Sequence, residues 1–564
     1  MSEAKSSNGI AAEASLEPLV PANWIPAPNT PLFAPRKIRV VCVGAGFSGL
    51  LLAYKHKYQF ELPETIDLVI YEKNHDIGGT WLENTYPGVA CDIPAHVYTF
   101  PFEPNPNWSS FYAGGTEIWQ YIKDTSDKYG LQERVQLNSK VVASTWDERV
   151  SRWRIKVERG GDTFTDECDI LINGSGILNK WRWPDIKGLQ DFQGQLVHSA
   201  SWPKSLDWTG KRVALIGNGS SAIQILPKLQ PTANRVINYI RSPTWVAANF
   251  AAEFTPEGKN FQYSEEQKRS FRENPELLLK LRKDIEHGIN QLFMGLLKGT
   301  DRQLEAQQIS KQIMEDRLNH DPDLCSKLIP TFEFGCRRIS PGEGYLEALQ
   351  ESNVDCCFTG IDRVTSNGIQ TTDGQTEDFD IIICATGFDV SFIPHWPLVG
   401  RDEQNLAELW KNYPTAYFGM CTPHQPNYFI FNGPNCPVAH GSLLAAMDTT
   451  ADWILRWCRK IVSEDIRSIC VKQDALDDYN VYTQEALKRT VWTGGCRSWF
   501  KGGRIDGPVT AMYAGSIIHY KEILESFRVE DFDIEYRSPN RFRFMGNGTT
   551  QREVKMDDLA YYVK

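Results

Sequence analysis

Two glycine-rich turns carry the most legible chemistry in this chain: Gly44-Ala-Gly46-Phe-Ser-Gly49 and Gly217-Asn-Gly219-Ser-Ser-Ala222. In each, the first glycine permits a tight turn and the second lets a pyrophosphate approach the backbone. The third small residue lets a helix lie close to a strand. A phosphate held there sits at a helix N-terminus, where free N–H groups and the helix dipole favour negative charge. An isolated glycine turn can be no more than a turn, so the charged residues that follow matter. Glu72 lies 26 residues after Gly46, where a carboxylate accepts hydrogen bonds from the ribose hydroxyls of an adenosine. Arg241 lies 22 residues after Gly219. A guanidinium there suits a ribose 2′-phosphate, hence NADP rather than NAD, although a solvated surface arginine is the plainer alternative. One turn with an acid and one with an arginine suggests FAD plus NADPH, a flavoprotein that takes a hydride from NADPH.

The elements that must position these turns are also readable. Ile38–Val43 is a β-branched run expected to be a buried strand; residues 50–53 open a helix, and Ile66–Tyr71 is a second strand that runs into Glu72. Residues 211–216, 223–229 and 236–240 repeat the pattern, with Pro227 near the end of the helix. Leu278, Leu281, Ile285, Ile289 and Leu292 recur at helical spacing among charged residues. A buried strand over 380–384 ends in Ala385-Thr-Gly387, which fits a return of the chain to the first unit. The expected fold is α/β, with two Rossmann-like dinucleotide-binding domains and a helical insertion in the second. The division reads as an N-terminal arm over 1–36, the first part of an FAD-binding domain over 37–180, and an NADP-binding domain over 181–383 with its insertion at about 255–330. The second part of the FAD-binding domain and a tail occupy 384–564, with one helix near 443–464.

Composition narrows the function classes. The 564 residues include 71 acidic and 60 basic side chains, a net charge of −11, which lacks the basic footprint of a nucleic-acid binder. The balance of 41% hydrophobic and 23% charged residues is that of a globular protein. The longest apolar runs, 40–43 and 381–385, are too short to span a bilayer. The Ala-, Ser- and Pro-rich start has no secretory pattern, so a cytoplasmic location is expected. Thirteen cysteines occur without a CxxC pair or zinc-type spacing, so the expectation is reduced thiols and no metal site.

Two longer stretches carry a resemblance. Phe192-Gln-Gly-Gln-Leu-Val-His-Ser-Ala-Ser-Trp-Pro203 matches the FxGxxxHxxxWP fingerprint of Baeyer–Villiger monooxygenases. Gly78-Gly-Thr-Trp-Leu-Glu-Asn-Thr-Tyr-Pro-Gly-Val-Ala-Cys-Asp92 matches that family's other signature. With the glycine turns, the resemblance runs from about Lys37 to Trp499. It implies that Ser48, Glu72, Thr80, Trp81, Leu82, Glu83, Asp92, Tyr98 and Val141 contact FAD. It implies that Ala90, Cys91, Asp92, Asn218, Gly219, Ser220, Ser221, Ala222, Ile223, Gln224, Arg241, Ser242 and Trp499 contact NADP. Gly335-Cys-Arg337-Arg338, followed by Tyr345, resembles the family's Lys-Arg pair ahead of a tyrosine. On that register Arg338 is the active-site arginine, and Arg337 replaces a lysine near the NADP phosphate. A shift of one residue would exchange the two.

The resemblance implies a cycle in which NADPH reduces FAD, oxygen adds to the flavin, and the resulting flavin peroxide attacks the carbonyl of a small-molecule ketone. The adduct rearranges to an ester or lactone. The peroxide and adduct are anionic, so a fixed cation is needed, and the always-charged Arg338 suits it, oriented by Asp92. His198 lies in the segment joining the two nucleotide domains. The reaction needs no imidazole, so His198 and Trp202 are expected to act in domain coupling. Trp499 is expected over the NADP ribose. Tyr428, Phe429 and Phe431 fit a pocket wall or a core equally well, and Gly433-Pro-Asn435 a loop near the flavin or a simple turn. Flavin-dependent sulfoxidation or N-oxygenation, which could dispense with Arg338, is the alternative, and a non-catalytic flavoprotein redox sensor the more distant one. A disulfide reductase is disfavoured by the missing CxxC.

Overall fold

Ile38–Val43 forms the centre of a five-stranded parallel sheet in the order 428–430, 170–173, 38–43, 66–71, 135–136. The computed structural model describes residues 20–438 and 441–564; the first nineteen residues of the expected arm lie outside them. Val40, Val41 and Cys42 are all buried, as a strand covered on both faces requires. A second five-stranded parallel sheet has the order 354–357, 235–239, 212–216, 381–384, 195–198. Each glycine turn follows a central strand of its sheet, Ile38–Val43 or Arg212–Ile216. The chain leaves the second sheet after Ile381–Cys384 and re-enters the first through Tyr428–Ile430, which pairs with Ile170–Asn173. The first sheet is thus completed only after the second has been built.

Between the strands Arg235–Tyr239 and Val354–Cys357 the chain forms the helices Glu265–Glu273, Pro275–Gln291, Asp301–Arg317 and Pro322–Leu328. Their starts are written locally. Ser264 and Gln267 form a capping box, Asn274 and Asp321 cap helices that open on proline, and Thr300 caps the third. Leu278, Ile285 and Ile289 are buried as the apolar stripe requires. Leu292 departs from it: the helix ends at Gln291, a 3₁₀ turn begins, and Leu292 is 47% exposed.

The long helix Leu443–Ser463 buries Trp453 and Trp457. Its Asp448 and Asp452 meet the buried Lys55 Nζ at 2.8 and 2.6 Å, tying the tail to the element that follows the first glycine turn. The described part of the arm lies along the C-terminal segment: Leu32 N–H donates to the Thr549 carbonyl, Asn547 N–H to the Thr30 carbonyl, and Phe33 stacks on Phe544. Tyr428, Phe429 and Phe431 are core residues. Asn435 is buried too, and its side chain donates to the carbonyls of Val509 and Met512. No helix among the described residues is long and apolar enough to cross a membrane.

The cysteines require a correction. Cys336 and Cys496, 160 residues apart, form a disulfide, while the other eleven are free. Spacing along the chain gave no hint of this pair, because folding brings together two loops with no shared sequence pattern.

Candidate active site

A crevice of about 2250 Å³ is lined by both glycine turns, and the residues that could hold nucleotides converge on it. The helices Phe47–Tyr54 and Ser220–Leu229 start at Gly46 and Gly219 in extended conformation, and neither has a side-chain cap. Their first-turn N–H groups are therefore left for a ligand, the property that makes a helix start an anion site. Backbone crowding explains the glycines. Gly44 has φ +107°, and a Cβ there would lie 2.6 Å from the Gly174 carbonyl oxygen; a Cβ on Gly79 would lie 3.0 Å from Gly46 Cα. Around a Cβ on Gly219 there is no atom within 4 Å, so that turn faces open space. Gly49 does not line the crevice. It packs under the turn, where a Cβ would strike the Gly44 carbonyl at 2.2 Å.

Glu72 ends its strand as a buried carboxylate on the crevice wall, accepting from Ala45 N–H at 2.8 Å and Asn74 N–H at 2.9 Å. Burial pushes its carboxyl up and those two N–H groups pull it back down. Ser48, Thr80, Trp81, Tyr98 and Val141 line the same region, with Trp81 Nε1 donating to Tyr98 Oη at 3.3 Å. Leu82 and Glu83 do not line it: Glu83 is held by Lys73 at 2.7 Å and accepts from Asn74 Nδ2 at 2.9 Å.

Asp92 and Arg338, 246 residues apart in sequence, meet across the crevice with Nη2 to Oδ2 at 2.5 Å. The Arg338 side chain keeps 40% of its surface open and Asp92 15%, so the pair is accessible from the cavity. Asp92 is the main reason that the Arg338 guanidinium is held above its ordinary range. Arg337 turns elsewhere. Burial lowers its pKa first, and the facing Arg241 lowers it further. Neither Arg337 nor Arg241 makes a hydrogen bond or ion pair among the described residues, and both line the crevice beside Ser242 and Trp499. Two guanidiniums without a carboxylate partner on one wall could hold a dianion such as a 2′-phosphate.

The two nucleotide units are joined at the site. Gln224 Nε2 donates to the Ala90 carbonyl at 3.0 Å, and Tyr86 Oη donates to Gln224 Oε1 at 2.8 Å. Asn218 Nδ2 donates to the Ser242 carbonyl at 2.7 Å. Ser220, Ser221, Ala90 and Cys91 also line the crevice, whereas Ala222 and Ile223 are buried in the second core behind the turn. His198 does not line it. It is buried, stacks on Trp181 at 4.6 Å, and accepts from Ala200 N–H through Nδ1. Burial lowers its pKa to about 4, so it is neutral at working pH. Gly174, Phe250 and Met447 also line the crevice and were not singled out by sequence, and Ile289, read only as part of an apolar helical stripe, lines it too. Only Gly174, a glycine just past a buried strand, carried a signal that could have marked it.

The flavin-binding monooxygenase-like family profile matches residues 37–262. The FAD-binding monooxygenase tazF of Aspergillus terreus is 49% identical over 96% of this chain and 97% of its own. A Baeyer–Villiger monooxygenase of Pseudomonas aeruginosa is 35% identical over 83% of this chain and 86% of its own. The crystal structure of cyclohexanone monooxygenase from Rhodococcus sp. Phi1 bound to NADP+ shares the fold, with a TM-score of 0.76 and 24% identity over 89% of this chain and 100% of that one. With both glycine turns and the Asp92–Arg338 pair on one crevice, the chain belongs to the flavin-binding monooxygenases of the Baeyer–Villiger type.

Proposed function

We propose that this monooxygenase holds FAD at the first glycine turn and NADP at the second, and oxidises a ketone to an ester or lactone. The overall balance is ketone, O₂, NADPH and a proton giving ester, NADP+ and water. The observation that carries the reading is the Asp92–Arg338 pair, which faces the cavity shared by the two turns. The fit to the cofactors rests on the uncapped helix starts, the glycine backbones that a Cβ would block, the buried Glu72 and the Arg241–Arg337 pair.

Bound FAD supplies hydride acceptance and oxygen activation, chemistry that no side chain provides. The chain supplies the rest. Glu72 accepts from the ribose of FAD, and the N–H groups after Gly46 meet its pyrophosphate. Arg241 and Arg337 neutralise the 2′-phosphate of NADPH and select it over NADH. Arg338 keeps a positive charge at every working pH and stabilises negative charge on the reacting oxygens. Asp92 fixes the direction of that guanidinium. Trp499 covers the nucleotide side and excludes water. His198 takes no proton in the reaction, because it lies off the cavity.

Arg338→Ala tests the reading. NADPH consumption should continue while ester formation falls by about 10²–10³-fold, the usual cost of removing a charge-stabilising donor. Ester formation within a few-fold of wild type would overturn the assignment.

A further inference from the structure

Cys336 stands directly before Arg337 and Arg338; Cys496 stands directly before Arg497, Ser498 and Trp499. Gly335, Arg337, Arg338, Arg497, Ser498 and Trp499 all line the crevice. The Cys336–Cys496 bond therefore lies just behind its wall, with both cysteines buried. Each loop is braced on its own side. Gly335 has φ +86°, and a Cβ there would press on Leu296 at 2.7 Å; the buried Lys501 donates to the Gly494 carbonyl at 2.5 Å. Between 333–338 and 494–504 no hydrogen bond is present among the described residues; the disulfide is the covalent tie between the two loops, beside the Glu333 carboxylate that packs on Gly494 and attracts Lys501. On the other side, the arginine segment is held by the Asp92 contact, by Phe334 N–H donating to Gln307 Oε1 at 3.1 Å, and by the pairing of Ser340 with Val246 just after it.

We propose that the Cys336–Cys496 disulfide is a positioning element of the NADP side of the site, and that thiol–disulfide exchange with a dithiol changes how well the enzyme holds NADP. The inference rests on reading Arg337, Arg338 and Trp499 as the residues that meet NADP and the reacting oxygens. The bond sets the arginine segment and the Trp499 loop as one unit, so both walls of the subsite are placed together. In the exchange, one thiolate of a small dithiol attacks a cysteine sulfur and breaks the S–S bond. Its second thiol resolves the mixed disulfide. The dithiol is oxidised to a cyclic disulfide, and Cys336 and Cys496 leave as two thiols, a two-electron exchange that an oxidised dithiol reverses. Linkage then requires reciprocity: if the closed bond favours NADP, bound NADP favours the closed bond.

The test uses purified FAD-loaded enzyme, oxidised or treated with dithiothreitol, beside Cys336→Ser, Cys496→Ser and the double variant. Mass spectrometry reads the bond, and perturbation of the flavin absorbance by NADP+ reads binding without any ketone. The expected result is a rise of about tenfold in the NADP+ Kd and the NADPH KM on reduction, within the usual range of a coupling between sites. FAD content should be unchanged, more NADPH should end as hydrogen peroxide, and saturating NADP+ should slow the reduction. The serine variants should match the reduced enzyme and ignore the dithiol. Equal NADP+ binding in both redox states would overturn the proposal. Loss of FAD and unfolding on reduction would make the bond a stabilising staple and would also overturn it. Were the NADP reading itself wrong, NADP+ would leave the flavin spectrum unmoved in the oxidised enzyme as well.

Discussion

At the residue scale, Asp92, Arg338, Arg241 and Arg337 share one cavity, and their losses are separable. Removing Asp92 leaves Arg338 charged but undirected. Asp92→Ala should therefore lower ester formation by about 10–100-fold, the cost of losing a charge-assisted hydrogen bond, with FAD content retained. Arg241 and Arg337 have no protein partner to lose, so Arg241→Ala and Arg337→Ala should fold normally. Each should raise the NADPH KM by about 10–100-fold and erase the preference over NADH. Steady-state kinetics with both nucleotides checks this, and the double variant should cost less than the sum because the two cations face each other. Glu72 and Arg241, which both line the crevice, were legible as candidates because a nucleotide turn fixes how far along the chain a ribose partner would stand. Arg337 and Arg338 needed the family resemblance to be seen, since no local pattern marks an arginine that meets a carboxylate 246 residues away. The Cys336–Cys496 pair was not legible at all, and reduced thiols were the wrong expectation.

At the element scale, the two strand–turn–helix units do the same job with different tolerances. Gly44 has φ +107° and backbone 2.6 Å from where a Cβ would sit, so Gly44→Ala should abolish FAD retention and give insoluble or unstable protein. Gly219 has open space around it. Gly219→Ala should leave stability within about 0.5 kcal/mol while raising the NADPH KM, because the added methyl meets only the ligand. Thermal melts and flavin content beside NADPH kinetics separate the two cases. Strands and turns were readable because β-branched runs ending in glycine motifs have few other uses, and the insertion because its apolar residues recur at helical spacing among charged ones. What periodicity could not show was where the stripe stops: Leu292 keeps the spacing, but its helix has already ended at Gln291. Gly49, Leu82, Glu83, Ala222 and Ile223 share motifs with ligand-facing residues yet do not line the crevice themselves.

At the scale of the whole molecule, two parallel sheets share one crevice and are tied across it by Tyr86, Gln224 and the Ala90 carbonyl. Buried imidazoles make this assembly acid-sensitive. Burial lowers the pKa of His96 and of His198 to about 4. In the unfolded chain a histidine titrates near 6.5, so between those values the unfolded state binds more protons. Their stabilisation is complete above about pH 6.5 and is lost as pH falls toward 4, at up to ~1.4 kcal/mol per pH unit for each histidine. The melting temperature should therefore drop between pH 7 and pH 5, and His96→Gln or His198→Gln should flatten that slope. The central claim concerns chemistry at the shared crevice, and isotope tracing tests it most directly. Purified enzyme with FAD, NADPH and ¹⁸O₂ should convert a member of a ketone panel to an ester or lactone carrying one ¹⁸O atom, with one NADPH consumed per ester. NADPH oxidation that yields only labelled hydrogen peroxide across the panel, or label that enters sulfides and amines but no ketone, would contradict it.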